Sequence, residues 1–251
     1  MMLFEFPLHE RTRLFLRLEN IFIRFRQLAN VQEKATDHAA LGVLFELLDI
    51  IAVRSDLKSE LLQEIEKQRV ALAQYQGMSG VDIDLLSQML IDLDTAYSQL
   101  INWTQRFGQV LRDNEWFAAI RARNGVPGGM CEFDLPNYHS WLNLSPQHRS
   151  SHLGKWLSSF GPLEACLLLS LRILRGGTPV DVLAIKGQIQ HDIRSKHFQL
   201  MRVWVPLEYT VVPEISASRH VIWIRLMQQS TEFKSNPAEY DVPLKIALCS
   251  L

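Results

Sequence analysis

The chain has 251 residues, 47% hydrophobic and 21% charged, a globular composition for one large domain or two modest ones that excludes a disordered chain. Its net charge of −1 and pI near 6.7 exclude the strongly basic footprint of a general nucleic-acid binder. Cys131, Cys166 and Cys249 lie far apart with no C-x-x-C, which fits a reducing, cytoplasmic compartment rather than a disulfide framework or a zinc ribbon.

At the amino terminus, MMLFEFPLHERTR has no basic segment followed by a long apolar run and a small-residue cleavage site, so no secretory signal is read there. Residues 3–6 are a short apolar piece closed by Pro7, suited to an edge strand docked on a later sheet. A long helix follows over residues 10–28, with Leu14, Leu18, Ile21, Phe22, Phe25 and Leu28 on one face. Arg13, Arg17, Asn20, Arg24 and Gln27 form a polar line opposite. Residues 9–28 carry five arginines against two glutamates; most such lines are solvated faces, and the sharper reading is a guanidinium row for carboxylates.

A second helix is expected over residues 37–53 with Asp37 as its cap, and a third opens at Ser55 or Asp56 and is ended by Gly77. A fourth covers residues 82–101. Between Ser55 and Ala96, three cationic residues face eight carboxylates, making an acidic helical hairpin. Residues 103–124 turn basic again, four arginines against two acids, so a net charge near zero hides a polarised molecule. Asn114 caps a short helix over residues 115–123 that buries Trp116, Phe117 and Ile120.

The densest stretch is residues 121–144, RARNGVPGGMCEFDLPNYHSWLNL. Pro127-Gly128-Gly129 requires a tight turn, and Asp134-Leu135-Pro136 reads as a helix start with Asp134 as cap. Ser145-Pro146 begins the next helix. Another follows Pro162, over residues 163–175, apolar on nearly every side and suited to the centre of a helical domain. Its run CLLLSL is far short of the roughly 20 residues a bilayer span needs, so no membrane partner is expected. Gly176-Gly177-Thr178-Pro179 breaks the helical pattern. Alternation then marks residues 198–206, 219–227 and 243–249 as strands, with residues 180–191 and 207–212 as sources of two more.

The fold class expected is therefore α+β: a large all-α helical domain followed by a smaller, mostly antiparallel β-domain. Residues 1–8 form an amino-terminal strand joining that sheet, residues 9–177 the helical domain, and residues 178–251 the β-domain.

Chemical motifs are few. No P-loop and no G-x-G-x-x-G after a strand is present. His148 and His152 share a helical face but lack an H-E-x-x-H and a third ligand, so no metal and no cofactor are expected. Cys131, Asp134 and His139 lack a nucleophile signature, and Asp134 is better used as a cap; no enzyme is read here. His139, between Tyr138 and Trp141, belongs to an aromatic corner beside arginines, a composition suited to peptide binding.

The segments LFEFPLHERTRLFLRLE, RFGQVLRD, VPGGMCEFDLP, HSWL and GPLEACLLLSLRILR resemble the ZapD family, cytoplasmic Z-ring-associated division proteins of bacteria. The chain departs from the family pattern at His9, where Asn is common, and at Glu115, where a basic residue is common. The resemblance implies a helical domain joined to a β-domain, a homodimer, and binding to the carboxyl-terminal tail of the tubulin-like protein FtsZ, whose filaments the dimer would cross-link and bundle at the midcell ring. Arg17, with Arg13 or Arg24 beside it, and Arg112, Arg121 and His139 are the expected tail-binding residues; Arg17, Arg112 and His139 match basic family positions. The alternative is a nucleic-acid or anionic-surface binder using the same arginine row.

Overall fold

A computed structural model describes residues 1–193, 197–229 and 234–250. Among them, β1 (Met2–Pro7) is followed by α1 (Glu10–Val31), α2 (Lys34–Val53), α3 (Leu57–Ala73) and α4 (Ile83–Ile101). Next come α5 (Gln109–Arg112), α6 (Glu115–Asn124), α7 (Pro136–Leu142), α8 (Pro146–Ser158) and α9 (Gly161–Leu174). Strands β2 (Val180–Ala184), β3 (Gln188–Asp192), β4 (Leu200–Val205), β5 (Val211–Ala217), β6 (Val221–Gln229), β7 (Ser235–Pro237) and β8 (Val242–Cys249) complete the chain. The expected α+β class is what the structure has. No single described helix is long and apolar enough to cross a membrane.

The chain divides into two compact units, Met1–Leu16 with Leu171–Leu251, and Arg17–Ser170. In the first, one antiparallel sheet has the order β1-β4-β8-β2 and a second the order β3-β6-β5, with β7 also on β6. The amino-terminal strand joins the sheet as expected, Phe4 opposite Val203 and Pro7 opposite Leu200. Pro7 is tolerated because β1 is an edge. Strict alternation places Val242, Leu244 and Ile246 inward and Lys245 outward on β8, and both sheets contribute to one buried cluster with Met201, Val203, Ile222 and Ile224.

Residues 180–191, read as a single stretch, split between the sheets. Lys186 and Gly187 both take left-handed backbone, φ 47° and 66°, the turn type that suits a two-residue hairpin. A Cβ on Gly187 would lie 2.5 Å from the Ala238 carbonyl oxygen, so glycine is required there on two counts. Residues 207–212 give a 3-10 turn, Leu207–Tyr209, and only then the start of β5.

In the helical unit the predicted seam of α1 is buried at Leu18, Phe22 and Phe25, and so are Leu44, Leu47 and Leu48 on α2, Leu57, Leu61 and Ile65 on α3, and Leu86, Leu93 and Leu100 on α4. Each such side chain contributes about 1.5–3 kcal/mol by leaving water. Asp82, Asn114 and Ser145 cap α4, α6 and α8 by accepting from the backbone N–H three residues on.

Two expected caps are not caps. Helix α2 starts earlier, where Glu33 and Thr36 make a reciprocal capping box, and Asp37 is fully buried. Its Oδ2 accepts from Arg149 Nε at 2.6 Å. Arg149, itself 3% exposed, also donates to the carbonyls of Gln32, Leu142 and Leu144. One guanidinium therefore ties the α1–α2 turn, the start of α2 and the end of α7. Asp134 likewise leaves the cap position to Leu135 and faces Arg123 at 3.6 Å.

Candidate functional site

Helix α2 collects the cations. Its apolar seam faces the core, which leaves Glu46 and Asp49, three residues apart, on one exposed edge. Arg24 reaches Glu46 from α1 through two hydrogen bonds, 2.9 and 3.2 Å. Arg121 reaches Asp49 from the last turn of α6. Arg112, at the end of α5, donates to the Leu48 carbonyl at 3.2 Å, and its buried Nε finds no acceptor among the described residues. Three of the six expected residues thus converge on the carboxyl half of α2.

The others are placed differently. Arg17 lies seven residues before Arg24, hence on the same side of α1. It is exposed, and among the described residues no carboxylate pairs with it. His139, half exposed on α7, has Nε2 3.6 Å from Glu132 Oε2. Arg13 falls in the other unit, where it pairs with Glu10 at 3.3 Å and stands 6.0 Å from the Phe6 ring centroid.

Beside this edge the helical unit holds an aromatic cluster. Trp116, Trp141 and Trp156 form a triangle with ring centroids 5.7, 5.5 and 5.6 Å apart, and Phe117 meets Trp156 edge-on at 4.6 Å. The Trp141 indole donates to His152 Nδ1 at 3.2 Å, while His148 Nδ1 is 2.7 Å from Ser145 Oγ. The two histidines therefore orient separate local partners. Trp116 was expected to be buried by its short helix and is half-buried, as is Trp156; their meeting with Trp141 was not expected, because it joins three helices.

These indoles wall a cavity of about 580 Å³ that also touches Trp103, Leu111, Arg106 and Lys155. A second, of about 440 Å³, lies beside it and is lined by Lys58, Phe107 and Arg112, among others. Arg106 and Lys155 were not among the expected residues. The basic bias of residues 103–124 pointed at Arg106, but nothing in the sequence brings Lys155 to it.

The groups weighed for nucleophilic chemistry do not work together. Cys131 Sγ is turned to the Gly128 carbonyl at 3.1 Å, Asp134 to Arg123 and His139 to Glu132. Burial pushes the Cys166 thiol up to about 12, which leaves it unreactive at neutral pH. The chemistry on offer is recognition: guanidiniums for carboxylates beside aromatic walls for apolar groups.

Compared with known proteins, residues 16–225 match the family model ZapD, described as a cell division protein. The chain is 38% identical over 251 residues to the cell division protein ZapD of Janthinobacterium sp. (strain Marseille), covering 100% of both chains. The matched span contains Arg17, Arg24, Arg112, Arg121 and His139; Arg13 precedes it.

Proposed function

We propose that this chain, which belongs to the ZapD family of cell division proteins, binds the carboxyl-terminal tail of FtsZ and, as a homodimer, cross-links and bundles FtsZ filaments in the cytoplasm at the midcell ring. The tail-binding surface is built on Arg17, Arg24, Arg112, Arg121 and His139, with Arg13 preceding Arg17 on the same helix. Two tails held by one dimer make the second contact intramolecular, so weak individual sites suffice to organise filaments.

The observation that carries this reading is the edge of α2. Arg24 and Arg121 already hold carboxylates there, those of Glu46 and Asp49. All four side chains are about half exposed, and such surface pairs are worth only about 0–1 kcal/mol. An incoming acidic segment replaces one weak pair by another at little cost, and it gains the unpaired Arg17 outright. A nucleic-acid backbone fits this edge less well, because it carries a charge at every phosphate and needs a continuous run of cations, which Glu46 and Asp49 interrupt, whereas a tail with a few carboxylates can place them at the cations alone.

The same geometry sets a test with opposite signs. Glu46→Gln with Asp49→Asn frees two guanidiniums and should raise tail affinity several-fold. Arg17→Glu with Arg121→Glu should lower it by at least about tenfold, or 1.4 kcal/mol. Both are read by co-sedimentation with FtsZ filaments, with circular dichroism and dimer mass unchanged. Unaltered binding in both pairs of variants would overturn the assignment of this edge.

A further inference from the structure

The aromatic cavity and its neighbour are separated by one ridge. Both are lined by Trp103, Gln105 and Arg106, which belong to the loop between α4 and α5. Cavities of about 300–1,000 Å³ are the size that takes a ligand or a peptide side chain, and both fall in that range. The first is walled by Trp103, Trp116, Trp141 and Trp156, and no carboxylate lines it. At its rim Arg106 and Lys155 are exposed, and among the described residues neither has an ion-pair partner. They differ in this from Arg24 and Arg121, which must first release their own carboxylates.

We propose that the first cavity is the apolar anchor site of the acidic tail: a large aliphatic or aromatic side chain of the segment enters between the indoles, and a neighbouring carboxylate is held by Arg106 and Lys155. This rests on the tail-binding reading above and adds the residues that set its specificity. An apolar side chain packed between the indoles provides the affinity, and the cations at the rim provide the preference for an acidic neighbour. The second cavity takes the continuing segment across the ridge. Charged contacts at Arg17 and the α2 edge steer the tail; the indole pocket fixes its register.

The test uses the full-length protein and a synthetic peptide with the sequence of the FtsZ tail. Titration should give a saturable change in indole emission, since four tryptophans line the site. Arg106→Glu with Lys155→Glu should weaken the affinity at least about tenfold with circular dichroism unchanged. Val110, 59% exposed on the cavity wall, gives an independent probe: Val110→Asp should weaken binding by a similar factor and Val110→Ala should not. If the peptide binds these variants as it binds the wild type, with no emission change, the anchor site is overturned while the tail-binding reading stands. If the wild type fails to bind the peptide at all, both fall.

Discussion

Arg149→Met should lower the stability of the helical unit by about 3–5 kcal/mol, the cost of breaking a buried ion pair from one side. Asp37 is fully buried and among the described residues its Oδ1 already lacks a partner, so removing Arg149 leaves the carboxylate with no donor among them at either oxygen. The carbonyls of Gln32, Leu142 and Leu144 lose their donor in the same step. Gln32 matters most, because it holds left-handed backbone, φ 61°, a conformation that costs a non-glycine residue about 1–2 kcal/mol. Arg149→Lys should not rescue, since one ammonium cannot span the fork that a guanidinium reaches. Asp37→Leu with Arg149→Met should recover part of the loss by removing the stranded charge, but not all, since the carbonyls stay orphaned. Urea unfolding followed by indole emission reads these differences. A loss below about 1 kcal/mol for Arg149→Met would show that the pair is not the clamp of this unit.

Gly108→Ala carries the second large effect, and it bears directly on the cavities. Gly108 opens α5 with φ 66°, and an added Cβ would lie 2.6 Å from both Leu48 Cδ2 and Phe160 Cζ. Left-handed strain of about 1–2 kcal/mol adds to overpacking of about 1–3 kcal/mol. Neither Leu48 nor Phe160 has room to yield, because both are buried in the core. The strain is expected to move the Trp103–Arg106 ridge, so tail affinity falls together with stability. Gly128→Ala is the matched control. Its φ is 72°, but nothing lies within 4 Å of the added Cβ, so the strain of about 1–2 kcal/mol acts alone. Equal losses in the two variants would contradict the packing argument.

What the sequence made legible was whatever depends on neighbours along the chain. Apolar spacing and helix signals located α1 to α4, and spacing gave the inward residues of α1. Asn114 and Ser145 announced their helices because a cap acts within three residues. The α+β division followed from the change of period after Gly176. What failed was the partner of a side chain and one unrecognised turn. Asp37 looked like a cap because Asp near a helix start usually is one, and its real partner is 112 residues away. Asp134 misled for the same reason. The split of residues 180–191 into two strands rests on Lys186-Gly187, a turn written with one glycine and a lysine in a rare conformation.

The candidate site shows the same pattern. A row of arginines on α1 can be counted in the sequence, but pairing decides which of them are available. Among the described residues Arg17 has no carboxylate partner, while Arg24 and Arg121 are engaged by α2 carboxylates that the row itself does not reveal. The indole triangle needs α6, α7 and α8 to meet, and Lys155 becomes relevant only through the cavity it borders. Composition suggested an aromatic corner beside arginines; packing determined where the indoles lie.

The most direct test of the account is co-sedimentation of this protein with filaments of full-length FtsZ and of FtsZ lacking its carboxyl-terminal tail, at about 0.1 M salt, where charges interact over about 10 Å. Binding and bundling of the full-length filaments, lost when the tail is removed, is the predicted result. Equal bundling of both would contradict it.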